Sequence, residues 1–151
     1  MTVFGLLYFA FDNWLWKVEH LRRILLVPNL NGRWLVTGKT VKRDGQDTAF
    51  DWNGEVEIIQ SWSKISIVLR TRQSSSRSIA ASLYRYPGEG YRLIYHYCND
   101  PKVDQPDLKR HSGLCDLMFL YDVNEAEGSY FTDRDRLTVG TMHLARGDST
   151  R

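Results

Sequence analysis

Apolar positions change their period once along this chain, at Pro28. The first stretch, Val3 to Phe11 (VFGLLYFAF), carries no charge. From there Phe11, Leu15, Val18, Leu21 and Leu25 recur at helical spacing, and Glu19–Arg23 forms a supporting i,i+4 pair. Pro28 cannot continue a helix, so the pattern predicts its end there. Beyond Pro28 the period falls to two. Alternating runs begin at Gly32 to Gly38, Glu55 to Ile58, Ile65 to Leu69, Ser78 to Leu83, Tyr91 to Cys98, Gly113 to Tyr121, Gly128 to Thr132 and Thr138 to Ala145, which makes eight predicted strands. Turn-forming residues separate them: Asp44-Gly45 or Asn53-Gly54, Ser63-Lys64, Pro87 to Gly90, Asn124-Glu125 and Asp133 to Arg136.

Short connections and no second helical pattern imply an antiparallel meander. Eight such strands close most easily into an all-β, up-and-down antiparallel (lipocalin-like) barrel, here with an N-terminal helix. The Gly32-x-Trp34 opening is one that lipocalin-like barrels also carry. The expected organisation is residues 1–27 as the end of a transmembrane or juxtamembrane helix, 28–146 as the barrel, and 147–151 as a polar tail.

In a meander of this kind alternate loops gather at one end. That end collects the 40–53 connection, the 71–78 turn, the 98–111 loop and the 132–138 turn, and with them the anion-gripping side chains. Strand parity adds direction. If Ile65, Ile67 and Leu69 face inward, so does Thr71; Leu93, Tyr95, Tyr97 and Asn99 share a face, as do Gly128, Tyr130 and Thr132. Tyrosines below a rim of hydroxyls, an amide and arginines suit a ligand with flat rings and phosphates. They equally suit tyrosines that only pack the barrel and bond one another.

Composition bounds the alternatives. The 151 residues are 42% hydrophobic and 25% charged, which fits one folded domain and excludes a disordered chain. Twenty basic against eighteen acidic residues leave a formal charge of +2, no argument for DNA or RNA polymer binding. Cys98 and Cys115 cannot build a disulfide framework or a zinc spacing. The Val3–Phe11 run is too short to span a bilayer, which takes roughly 20 residues, and it lacks the basic start of a signal peptide. Trp14, Trp16, Lys17, Arg22 and Arg23 follow it in the order in which a membrane helix leaves the bilayer. The segment therefore reads either as the tail of a transmembrane helix or as an amphipathic helix packed on its own domain.

Catalytic patterns fail on inspection. Gly38-Lys39-Thr40 ends like a phosphate loop, but Arg33 stands where the first glycine belongs. His96, His111 and His143 lack metal-ligand spacing, and Asp12, Asp51 and Glu55 show no pairing for acid–base work. No metal and no enzymatic activity are expected.

Several stretches together resemble a bacterial family. They are Pro28 to Trp34, Ile59 to Trp62, Leu69 to Ser78, Leu93 to Pro101, His111 to Gly113, Gly128 to Arg134 and Gly140 to Arg146. In order and spacing they are similar to the effectors of anti-phage cyclic-oligonucleotide signalling (CBASS) that carry two transmembrane helices and a β-barrel. The resemblance implies a barrel that faces the cytoplasm from the inner membrane. There it would bind a cyclic dinucleotide or other cyclic oligonucleotide made by a partner nucleotidyltransferase, with no cofactor. Binding would control homo-oligomerisation, and the membrane helices would then disrupt the inner membrane and abort the infection. A related wiring, in which a standing nucleotide restrains the effector, fits the sequence equally. On this resemblance the chain lacks the first membrane helix and most of the second, so it would be a soluble fragment.

The resemblance also gives roles to the rim. Thr71, Ser74, Ser75, Ser76 and Asn99 would hold phosphate or ribose groups. Tyr95, Tyr97 and Tyr130 would supply ring contacts, Arg70, Arg77 and Arg134 would add charge, and Thr132 would complete the rim. The competing readings are a lipocalin-like carrier of a small apolar ligand and a structural module that joins subunits.

Overall fold

In the computed structural model of the protein, residues 2–42, 48–102, 109–133 and 138–147 are described. Eight strands close into one antiparallel barrel in sequence order, β1-β2-β3-β4-β5-β6-β7-β8. They are β1 (Gly32–Lys42), β2 (Thr48–Gln60), β3 (Ile65–Thr71), β4 (Ser74–Tyr86), β5 (Gly90–Pro101), β6 (His111–Phe119), β7 (Glu125–Thr132) and β8 (Thr138–Arg146). The predicted barrel and its strand order are thus observed. Asn53-Gly54, offered as a turn, instead lies inside β2, where Gly54 pairs with Val36. The alternative, Asp44-Gly45, lies outside the described residues.

Inward positions alternate along every strand, as pleat geometry requires. Trp34, Val36, Val56, Ile58, Ile67, Leu93, Leu117, Phe119 and Leu144 form a core with almost no solvent contact. It fills the half of the barrel nearest the chain entry at Asn29–Gly32. Arg146 closes that half. Its guanidinium lies 4.4 Å from the Trp34 ring centre and donates to the carbonyls of Asn29, Asn31 and Val123. Trp34 Nε1 donates to the Leu30 carbonyl (3.1 Å). Gln60 accepts from Leu30 N–H (2.8 Å) and donates to the Pro28 carbonyl (3.1 Å).

The β3–β4 seam is short. Only Val68–Arg70 pair with Ser75–Arg77, after which the Ser78 hydroxyl takes the Ile67 N–H (2.9 Å). Ile79 is a bulge residue, since Ser78 pairs with Tyr97 but Ala80 already pairs with His96. A bulge bends its strand and ends local pairing, which is why the two strands part there.

The amino-terminal segment departs from the single helix expected up to Leu25. It comprises α1 (Val3–Asn13), a 3-10 turn (Leu15–Lys17) and α2 (Glu19–Leu25). In a continuous helix the Asp12 carbonyl would accept from the Trp16 backbone. Here it accepts from Trp16 Nε1 (3.0 Å) and from the Trp62 backbone N–H (2.9 Å), so the helix breaks and Trp16 becomes buried. The Asp12 carboxylate also accepts from Ser63 N–H (2.8 Å) and the Ser61 hydroxyl (3.3 Å), and Phe11 meets Trp62 edge-on. These contacts tie α1 to the β2–β3 turn. No residue of α1 is buried; Phe4 and Val3 are 78% and 75% exposed. Among the described residues no helix is long and apolar enough to cross a membrane.

Candidate functional site

The half of the barrel opposite Arg146 is not filled. A cavity of about 350 Å³ opens there, of the size that holds small ligands. Its walls follow from strand parity: Thr40 continues the inward series of β1, Phe50 and Trp52 that of β2, and Leu69 and Thr71 that of β3. Ser74 and Ser76 come from β4, Tyr95, Tyr97 and Asn99 from β5, His111 from β6, Tyr130 and Thr132 from β7, and Thr138 and Met142 from β8.

Glycines on neighbouring strands make space for the aromatic walls. A Cβ built on Gly38 would lie 2.3 Å from the Trp52 ring, and one on Gly140 would lie 2.5 Å from Tyr130 Cζ. At Gly113 it would sit 2.5 Å from the Tyr97 hydroxyl. Each ring lies over the missing side chain of its neighbour, the small-beside-large alternation by which narrow barrels fit bulky groups.

Polar groups join some of these walls. Trp52 Nε1 donates to the Tyr130 hydroxyl (3.1 Å), which is also bonded to the Thr40 hydroxyl. The Thr71 hydroxyl accepts from Gln73 N–H (3.3 Å) and Ser74 N–H (3.1 Å), fixing a tight turn with Arg72 at its tip. The Thr132 hydroxyl accepts from Thr138 N–H (2.9 Å) and so holds the β7–β8 ends together. Two wall groups stand apart. Asn99 and Ser76 are 7% and 6% exposed and face each other in the β4–β5 register. Among the described residues neither side chain has a hydrogen-bond partner.

The floor is neutral. Burial pushes the Cys115 thiol up to about 12 and raises the Tyr95 hydroxyl well above its usual range, with each group also beside the other. Cys115 Sγ lies 3.7 Å from Met142 Sδ. Among the described lining residues the charged side chains, Arg72 and Asp51, stand at the rim.

The expected site residues divide by face. Thr71, Ser74, Ser76, Tyr95, Tyr97, Asn99, Tyr130 and Thr132 are brought together on the cavity wall. Arg70, Ser75 and Arg77 are not. They occupy the alternate, outward positions of β3 and β4, and Arg70 is paired with Glu57 at 2.9 Å. Arg134 lies outside the described residues. The residues missed were Thr40, Phe50 and Trp52, because 40–53 was read as a connection rather than as two long strands. Continuing the alternation from Trp34 and Val36, and back from Val56, would have found them. His111 belongs to the expected 98–111 loop and its anion-gripping set, and Thr138 opens an expected strand.

Residues 25–146 match the family model described as "Cap15, cyclic dinucleotide receptor domain". A relative from Yersinia aleksiciae, "CD-NTase-associated protein 15", is 43% identical over 140 residues. That alignment covers 93% of this chain and 65% of the relative. The chain therefore spans just under two thirds of that relative's length.

Proposed function

The chain belongs to the Cap15 cyclic dinucleotide receptor family, and from that premise we propose that its barrel cavity receives a cyclic dinucleotide in CBASS anti-phage defence. The observation that carries this reading is the cavity's division of chemistry. Aromatic walls and neutral polar groups lie inside, and the cationic side chain among the described lining residues, Arg72, stands at the rim. A nucleotide has the same division, with flat bases at one part and phosphate charge at another. Trp52, Tyr97 and Tyr130 would contact the base, and Arg72, on the turn that Thr71 fixes, would meet a phosphate. Thr71 then acts as a positioning residue, since its hydroxyl already accepts from two backbone N–H groups. A ligand with two phosphates needs few cations, in keeping with a formal charge of only +2.

The exposed apolar face of α1 would meet the membrane, as Trp14, Lys17, Arg22 and Arg23 at its exit suggest. The helix is docked at the closed end, so the cavity mouth would point away from the bilayer and stay open to nucleotide made in the cytoplasm by a partner nucleotidyltransferase. Assembly of several copies on binding, followed by inner-membrane disruption, would be the output of the longer protein.

A thermal-shift and calorimetry panel of cyclic di- and trinucleotides tests the receptor reading. The expected result is stabilisation that grows with ligand concentration, about 2.7 kcal/mol at a hundred times Kd. Uptake of a fatty acid or retinoid with no response to any nucleotide would favour an apolar-ligand carrier instead.

A further inference from the structure

We infer that Asn99, with Ser76 beside it, reads the edge of an adenine in the bound ligand and so sets base specificity. The assignment rests on the receptor reading above and deepens it. Asn99 sits at the end of the inward series Leu93, Tyr95, Tyr97, Asn99 on β5, and Ser76 is its register partner on β4. Both are more than nine-tenths buried, and both line the cavity. Among the described residues neither side chain has a hydrogen-bond partner, although the other hydroxyls of the wall do: Thr40 with Tyr130, Thr71 with Ser74, and Thr132 with Thr138. Their polar atoms are not sealed in the wall but reach the cavity, where a ligand's donors and acceptors can meet them.

The chemistry of the amide selects the ligand group. A carboxamide offers one acceptor beside one donor and carries no charge. Phosphate oxygens would use only the donor half and would leave the carbonyl facing a like partial charge. Adenine presents an amine donor beside a ring-nitrogen acceptor and uses both halves, the pairing by which asparagine reads adenine elsewhere. Guanine bound through its carbonyl and ring N–H would keep its exocyclic amine as an extra buried donor to satisfy. A carboxylate suits guanine's two adjacent donors better. The carboxylate that lines this cavity, Asp51, is exposed at the rim.

Titration of the whole chain with cyclic di-AMP and cyclic di-GMP, before and after Asn99→Asp, tests the pair. Wild type should bind cyclic di-AMP about tenfold or more tighter, within the range a lost bidentate base contact gives. Asn99→Asp should reverse the order, because its carboxylate repels the adenine ring nitrogen and accepts from guanine's donors. Ser76→Ala, a smaller change that leaves the fold intact, should weaken cyclic di-AMP binding more than cyclic di-GMP binding. Were Asn99 a phosphate or ribose contact, Asn99→Asp would weaken both ligands equally, and that result would overturn the assignment. So would a wild-type protein that binds cyclic di-GMP as well as cyclic di-AMP. Failure of every cyclic dinucleotide to bind wild type would remove the receptor reading itself, a separate outcome.

Discussion

The two ends of this barrel are built from the same strands and differ in how fully they are packed and in how completely their inward polar groups are paired. At the closed end three inward polar side chains are paired with backbone across the barrel wall. Arg146 serves three carbonyls, Gln60 bridges Leu30 and Pro28, and Trp34 Nε1 reaches the Leu30 carbonyl. At the open end Asn99 and Ser76 are buried and without partners among the described residues, around a cavity of about 350 Å³. Paired polar groups and a filled interior stabilise a fold; unpaired ones around a cavity forgo stability that a ligand can restore. The contrast teaches that this barrel separates a packed end from an open, cavity-bearing end along one axis.

The sharpest way to break that division is to remove its largest filled position. Trp34 is fully buried, stacks under Arg146 and meets Phe119 edge-on at 5.2 Å. Trp34→Ala should cost about 3–5 kcal/mol in denaturant unfolding. Equal destabilisation by Trp52→Ala, whose ring is only partly buried beside the cavity, would deny that the ends differ.

A matched pair of polar deletions sharpens the comparison. Gln60→Leu at the closed end keeps the side chain's bulk but strands Leu30 N–H and the Pro28 carbonyl, at about 1–3 kcal/mol for each buried group left unpaired. Ser76→Ala at the open end removes a hydroxyl that has no partner to strand, so the ligand-free protein should change by about 0.5 kcal/mol or less. Chemical denaturation of both variants without ligand decides it. Similar losses from the two substitutions would mean that Ser76 is held by the fold after all.

Legibility followed the same axis. Period-two alternation made the strands and their inward faces readable, and parity alone placed Thr71, Tyr97, Asn99 and Tyr130 on the cavity wall. Parity also separates Arg70 and Arg77 from the cavity: they are anion binders by type, yet they occupy outward positions on the barrel's outside. Trp52 and Thr40 escaped because polar and glycine-rich strand ends read as a loop, while in the fold Gly38 is the floor for the Trp52 ring. Two features depended on contacts far apart in sequence. Arg146 continues the inward series of Met142 and Leu144, but that it closes the barrel through the carbonyls of Asn29, Asn31 and Val123 depends on those distant partners. The break after α1 likewise needs the β2–β3 turn, which supplies the donor that takes the Asp12 carbonyl.

That turn carries the smallest expected effect, and the one that depends on pH. Although burial opposes it, hydrogen bonds from Ser63 and Ser61 and the charge of Lys64 hold the Asp12 carboxyl below its usual value of 3.8. A carboxyl whose pKa is lower folded than unfolded stabilises the folded state above the unfolded value. That contribution is lost as pH falls through the folded value. The latch between α1 and the closed end should therefore hold at constant strength down to about pH 4 and weaken below it. Asp12→Ala should remove it at neutral pH, at about 1 kcal/mol. The loss should be read locally, as faster amide exchange at Ser63 and Trp62 and a changed Trp62 fluorescence. Cavity residues on the opposite end should be unmoved. As pH falls below 4 the wild-type protein should approach the variant, because protonation removes the charge that accepts the Ser63 N–H. A difference between the two that persists undiminished to pH 2 would show that the carboxylate is not what holds the helix. Equal changes at Tyr130 and at Ser63 would show that the two ends are coupled, so that a change in the cavity would reach α1 through the barrel wall.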